Sequence, residues 1–313
     1  MPEFLGIDTS NYTTSTALYN SDNNTLFSHK KLLPVKLGAC GLRQSDAVFH
    51  HVQQLPEVFK AAVAEQSAPL TAIGVSTRPR DIEGSYMPCF TVGQTCAELL
   101  AAELKIPLYT FSHQSGHIAA ALYSSNHLDW LNQTFLAFHV SGGTTEALLV
   151  QPDIKNIFNI TICGETLDLN AGQLIDRTAV MLGLPFPGGK YIEELAQNYT
   201  EKIHVKATLK GTNCCLSGIE NKCAEMLKRN EPKEKIAAYC LAYVEEMLSQ
   251  MCKVLLEKYG DLPILFAGGV MSNTIIKTHL LQKYNAAFAQ PAFSSDNAAG
   301  IALLTQEAHS RFC

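Results

Sequence analysis

Two apolar runs that break at small, hydroxyl-bearing residues and then resume, one in each half of the chain, constrain its fold more than any other feature. Near the start, Phe4-Leu5-Gly6-Ile7-Asp8-Thr9-Ser10 passes through a polar turn into Ser15-Thr16-Ala17-Leu18-Tyr19. Midway, Phe135-Leu136-Ala137-Phe138-His139-Val140-Ser141-Gly142-Gly143-Thr144-Thr145-Glu146 passes into Ala147-Leu148-Leu149-Val150. Each reads as strand, tight turn, strand. Open backbone N–H groups and hydroxyls at such turns suit phosphate oxygens, which need converging donors and little side-chain bulk. One such turn alone is an ordinary hairpin. Two, one per half, point to a duplicated fold that grips a nucleotide in a cleft between lobes.

A third glycine turn supports that reading. Leu262-Pro263-Ile264-Leu265-Phe266-Ala267 is a short apolar run that opens into Gly268-Gly269-Val270-Met271-Ser272-Asn273, with a helical segment behind it. A strand entering a glycine turn at a helix start is a natural place for a nucleotide's base, ribose or phosphate.

Between these turns strands and helices alternate. Residues 45–64 carry Val48, Val52, Leu55, Val58, Phe59 and Ala62 at helical spacing. Residues 73–77 read as a strand followed by a polar loop at 78–84, residues 91–104 as a helix, 107–110 as a strand edge, and 233–258 as a long helix. The alternation implies an α/β architecture. At 313 residues, with 47% hydrophobic and 17% charged residues, the chain can bury a large core. No apolar run approaches the length of a bilayer span, and no signal-peptide pattern precedes the first strand. Ten cysteines without a secreted framework or paired CxxC spacing are expected in a reducing cytoplasm. The net charge of −5 argues against a generic nucleic-acid binder, while leaving a local basic face open.

His113-Gln114-Ser115-Gly116-His117 opens another helical stretch. Histidines four apart share a helix face, so both imidazoles can reach one metal ion. The spacing is that of the zincin peptidases, but Gln114 stands where their general-base glutamate would be. Chance occurrence and metal binding are evenly balanced for this spacing alone.

The order of motifs along the chain resembles the universal tRNA threonylcarbamoyltransferase family, once called the glycoprotease or sialoglycoprotein endopeptidase family. The resemblance rests on Gly6-Ile7-Asp8-Thr9-Ser10, His113 with His117, Val140-Ser141-Gly142-Gly143, Gly164-Glu165-Thr166-Leu167-Asp168 with Ala171-Gly172 and Asp176-Arg177, and Leu182-Gly183-Leu184-Pro185-Phe186-Pro187-Gly188-Gly189. It continues through Leu216-Ser217-Gly218, Gly268-Gly269-Val270 with Asn273, and Ser295-Asp296-Asn297-Ala298-Ala299, covering essentially the whole chain. It implies the duplicated actin, sugar-kinase and heat-shock-ATPase fold, with lobes at 1–133 and 134–313 and a nucleotide and metal cleft between them. It implies one divalent ion, iron or zinc, on His113, His117 and Asp296. Asp8, Thr9 and Ser10 correspond to the first phosphate turn, and His139, Val140, Ser141, Gly142 and Gly143 to a phosphate- and acyl-binding segment. Asp176 and Glu193 stand where the family's carboxylates hold ribose hydroxyls, and Gly189 and Asn273 at the remaining nucleoside positions.

The implied reaction transfers the threonylcarbamoyl group from threonylcarbamoyl-adenylate to the exocyclic amine of the adenosine beside the tRNA anticodon. The implied partners are that adenylate, tRNA, a smaller related protein and an ATPase. No side-chain nucleophile is required. Departures from the family pattern fall at Asn11, Tyr12 and Thr13, at Phe49, at the loop 78–84, at Thr144 and at Leu169-Asn170. They leave two alternatives open: carbamoyl-type transfer to another acceptor, and a non-catalytic nucleotide-binding partner protein.

Overall fold

The protein's structure, a computed structural model, describes residues 2–10, 12–35, 42–154, 156–293 and 298–312. Its chain divides into two units, Met1–Leu131 with Asp153–Asn159 and Ala292–Cys313, and Asn132–Pro152 with Ile160–Pro291.

The first unit is built on β1 (Glu3–Ser10), β2 (Thr13–Asn20), β3 (Thr25–Leu32), β4 (Leu70–Arg78) and β5 (Leu108–Ser112), in the order β3-β2-β1-β4-β5. Strands β1 and β2 are antiparallel from Glu3 opposite Asn20 to Ser10 opposite Thr13, whereas β1–β4 and β4–β5 are parallel. Every residue of β1 and β2 is buried, as expected of strands covered on both faces. Helix α1 (Gln44–Ala64) buries Ala47, His51, Leu55, Val58 and Ala62, a stripe spaced by three and four. Helices α2 (Phe90–Leu104) and α3 (His113–Ser124) follow β4 and β5.

The second unit repeats this topology. Strands β6 (Phe135–Val140), β7 (Thr145–Asp153), β8 (Ile157–Glu165), β9 (Ile264–Ala267) and β10 (Ala286–Phe288) run in the order β10-β9-β6-β7-β8. Replacing β6 to β10 by β1 to β5 reproduces the first sheet, with β6–β7 antiparallel and β6–β9 and β9–β10 parallel. The duplication expected from the paired turns is therefore present strand for strand. Helices α4 (Ala171–Met181), α5 (Gly189–Gln197), α6 (Ser217–Lys228), α7 (Lys233–Tyr259) and α8 (Thr274–Lys283) complete the unit. Its core centres on α7, where Cys240, Val244, Leu248, Met251 and Leu255 are fully covered. Each such aliphatic side chain contributes about 1.5–3 kcal/mol relative to exposure.

The last helix, α9 (Ala299–Phe312), packs on α3, β1 and β4 and so lies in the first unit, whereas the expected lobe 134–313 placed it with the second. Backbone contact explains the placement: a Cβ on Gly300 would stand 1.8 Å from the Gly116 carbonyl oxygen of α3. At position 300 only glycine admits that approach, whereas a Cβ on Gly116 would meet the Ile301 side chain, at 2.9 Å. Among the described residues no helix is long and apolar enough to cross a membrane.

Candidate functional site

Each unit carries one candidate site. In the first, β1 and β4 bring two polar side chains together deep in the sheet. Asp8 is 0% exposed and Ser76 on β4 is equally buried; the Ser76 hydroxyl donates to Asp8 Oδ1. Helix α3 begins directly at the end of β5, which brings His113 Nδ1 to 3.0 Å from the same oxygen. A carboxylate oxygen that accepts this bond leaves the hydrogen on His113 Nδ1, and in the neutral imidazole Nε2 then has the lone pair. One helical turn on, His117 Nε2 lies 2.9 Å from His113 Nε2, with the ring centroids 4.4 Å apart.

This donor set fits a divalent metal ion. Two imidazole nitrogens lie 2.9 Å apart, close enough to share one ion, and a buried carboxylate stands behind His113, the usual support of a metal-bound histidine. Asp296 lies outside the described residues, and among those described no group of three or more potential ligands converges.

The structure places Asp8, Thr9 and Ser10, the residues expected to form a phosphate turn, in the strand itself. All three lie in β1, between β2 and β4, and are at most 2% exposed. Thr9 Oγ1 donates to the Cys89 carbonyl at 2.9 Å and accepts the Gly93 N–H at 3.1 Å, which ties β1 to α2. Burial, and after it the Asp8 charge, push the Cys89 thiol up to about 11. Burial raises Cys163 and Cys214 to about 11 as well. These three thiols are protonated at neutral pH and do not serve as thiolate nucleophiles.

In the second unit, residues 141–144 close the β6–β7 hairpin. The Ser141 N–H donates to the Thr144 carbonyl at 2.7 Å, and the Gly143 and Thr144 amides donate to Ser141 Oγ at 3.2 and 3.1 Å. The serine hydroxyl thus engages two of the amides that the sequence reading left open. Gly142 and Gly143 are exposed, with open space where a Cβ would stand. Helix α4 starts against this turn: the Gly172 N–H donates to the Ser141 carbonyl at 3.1 Å, and a Cβ on Gly172 would lie 2.5 Å from Gly142 N. The partial positive charge of the α4 N-terminus therefore sits beside the turn.

Gly142, Asp176, Gly189, Glu193 and Asn273 line one cleft of about 330 Å³, together with Gly172, Lys190 and Ser272. Five of the expected site residues are thereby brought together. His139, Val140, Ser141 and Gly143 are not among its lining residues; Val140 is fully buried in β6. Asp176 Oδ1 accepts the Gly188 N–H at 2.7 Å, fixing the loop ahead of α5. Glu193 Oε1 accepts both the N–H of Thr274, at 2.7 Å, and its hydroxyl. Asn273 caps α8, its Oδ1 accepting the Ile276 N–H at 3.0 Å.

A neighbouring recess of about 690 Å³ shares Gly142 and Asp176 and adds Gln173, Arg177, Val180, Met181, Phe186 and Glu220. Arg177 pairs with Glu220 at 3.0 Å on its wall, and Phe186 is 74% exposed. The sequence reading did not single out this recess; a bulky aromatic between two prolines and a glycine pair was its signal.

Asp168, read only as part of a motif, is a structural anchor. Burial alone would raise its pKa, but hydrogen bonds from Ser217 Oγ, Leu216 N, Leu169 N and Ser217 N lower it to about 2. The bonds from Ser217 Oγ, Leu216 N and Ser217 N, at 2.5, 2.7 and 3.2 Å, hold the start of α6, and that from Leu169 N, at 2.6 Å, is local.

The family model of TsaD, tRNA N6-adenosine threonylcarbamoyltransferase, matches residues 39–303. A tRNA N6-adenosine threonylcarbamoyltransferase of Neorickettsia sennetsu is 29% identical over 313 residues, covering 95% of this chain and 91% of that protein. A probable bifunctional tRNA threonylcarbamoyladenosine biosynthesis protein of Thermoplasma volcanium is 28% identical over 273 residues, 87% of this chain. The chain spans about half the length of that relative, 49%. Among solved structures, the ROK hexokinase of Thermus thermophilus superposes with a TM-score of 0.54 at 12% identity, over 98% of this chain and 99% of that one. That likeness establishes the fold as the sugar-kinase, actin-like one.

Proposed function

The chain belongs to the tRNA N6-adenosine threonylcarbamoyltransferase family, and we propose that it transfers the threonylcarbamoyl group of threonylcarbamoyl-adenylate to the exocyclic amine of the anticodon-adjacent adenosine of tRNA. The observation that carries this reading is the convergence of Gly142, Asp176, Gly189, Glu193 and Asn273 on one cleft. The oxygens of Asp176 and Glu193 not engaged by Gly188 and Thr274 hold the ribose hydroxyls of the adenylate. Gly142 and Gly189, with no Cβ to obstruct, let backbone approach the phosphate and the nucleoside. The α4 N-terminus favours the negative charge of the phosphate.

Attack of the amine on the carbamoyl carbon forms the new C–N bond and breaks the C–O bond to the adenylate, which leaves as the phosphate anion while the amine loses a proton. The protein's share of this chemistry is to hold two reactants in line and to stabilise the departing negative charge. A covalent acyl-enzyme is unnecessary, in keeping with the protonated thiols of Cys89, Cys163 and Cys214.

His113 and His117 would hold an iron or zinc ion, with Asp296 as the third ligand. A bound ion supplies Lewis-acid stabilisation of an anionic oxygen. Asp8 and Ser76 keep His113 in the tautomer that presents Nε2. The proposed setting is the cytoplasm, with a smaller related protein and an ATPase as partners. The reading is tested by reconstituted transfer to unmodified tRNA, with modified adenosine read by mass spectrometry of the digested nucleosides.

A further inference from the structure

The loop after β4 is fastened to the first turn of α3 by a set of bonds that surrounds His113. Arg78 Nε and Nη2 donate to Asp81 Oδ1 at 2.9 and 2.6 Å. The other oxygen, Oδ2, accepts the hydroxyls of Ser112 and Ser115 at 2.7 and 2.8 Å. Ser112 is at the same time the N-cap of α3, its Oγ accepting the Ser115 N–H at 3.1 Å. The Gln114 N–H donates to the Pro79 carbonyl at 3.0 Å. Residues 112, 114 and 115 are thus all tied to residues 79–81, and the residue they enclose is His113.

We propose that Asp81 is a positioning residue for the His113–His117 pair, setting the place of α3's first turn so that His113 meets Asp8 and His117 together. The inference rests on reading those histidines as a metal-holding pair. A carboxylate fixed on one side by a forked guanidinium and on the other by two hydroxyls is a stiff link, and its charge at a helix N-terminus is favourable. His113 is held from two sides: its ring by Asp8, and its neighbours Ser112, Gln114 and Ser115 by the loop through Asp81 and Pro79. Pairs of donors lose affinity steeply when one is displaced, because each must point at the same atom.

The experiment compares the full-length wild type with Asp81→Ala, Asp81→Asn and Ser115→Ala, each shown by circular dichroism and thermal melting to be folded. Cobalt(II) is titrated by calorimetry and visible absorption. Asp81→Ala is expected to weaken cobalt binding by about 10-fold or more, the usual range for loss of an outer-shell support. Asp81→Asn keeps an oxygen for the serines and is expected to recover most of that loss. Wild-type cobalt affinity in folded Asp81→Ala overturns the proposal. In metal-free protein, nitrogen-15 spectra of His113 are expected to show one Nδ1–H tautomer in wild type and a mixture in Asp81→Ala; the same single tautomer in both also overturns it. A wild type that binds no cobalt contradicts the metal reading alone, and the tautomer spectra still decide the role of Asp81. Should Asp81→Ala fail to fold, Ser115→Ala, which removes one of the two hydroxyl links, carries the same test with the same expected directions.

Discussion

His113 Nδ1 stands 3.0 Å from an oxygen of the fully buried Asp8, a contact that helps orient the imidazole whose Nε2 meets His117. Asp8→Asn removes the charge that selects the tautomer while keeping the size. Zinc or iron affinity is expected to fall about 10- to 100-fold. Metal content after dialysis against a graded chelator checks this; equal content in wild type and variant would remove Asp8 from the account.

Asp176 is expected to anchor the adenylate. Asp176→Ala should weaken adenine-nucleotide binding by about 1–3 kcal/mol, the cost of losing a hydrogen-bonded carboxylate partner. Isothermal calorimetry of the full chain reads this directly. An unchanged affinity places the nucleotide away from this cleft.

Gly172 is expected to tolerate no side chain. A Cβ there would stand 2.5 Å from Gly142 N and 2.6 Å from Ser141 C, both backbone atoms that cannot rotate away. Gly172→Ala should cost about 1–3 kcal/mol of stability by overpacking. It should also displace the β6–β7 turn, so nucleotide affinity falls with it. A variant that melts with the wild type contradicts the close approach.

The strands and helices were largely legible because hydrophobic spacing decides them locally. The helix expected at 45–64 is α1, Gln44–Ala64, and His113 does open a helix. The matching order of the two sheets was foreshadowed by the paired turns. What stayed hidden depends on distant pairing. Asp8 meets Ser76 and His113 only because β1 lies beside β4 and β4 beside β5, and no spacing rule relates residues 68 and 105 positions apart. For the same reason Thr9 looked open in the sequence and is engaged by Cys89 and Gly93 in the fold. The place of α9 turned on the Gly116–Gly300 contact, which an apolar pattern does not encode. The cap at Asn273, by contrast, could have been read from an Asn directly before Thr274-Ile275-Ile276.

Asp168 gives the stability a defined acid limb. Its folded pKa of about 2 lies below the roughly 3.9 of an unfolded aspartate. The unfolded chain therefore binds the proton first as pH falls. The contribution is fully present above about pH 4 and is lost as pH falls through about 2. Because Asp168 is exposed, solvent screening limits it to about 1 kcal/mol or less. Urea titrations between pH 2 and 5 should show a shallower loss for Asp168→Asn than for wild type. Parallel curves would mean that the bonds to Leu216 and Ser217 do not stabilise the ionised form.

The most direct test of the central claim is a reconstituted reaction. It combines the purified chain, its candidate partner proteins, threonylcarbamoyl-adenylate and unmodified tRNA, and the digested nucleosides are read by mass spectrometry. Threonylcarbamoyladenosine is expected with wild type and is expected to vanish with His113→Ala and with Asp176→Ala. No modified adenosine from wild type, beside active controls and with nucleotide binding retained, would contradict transfer to tRNA and turn this cleft to another acceptor.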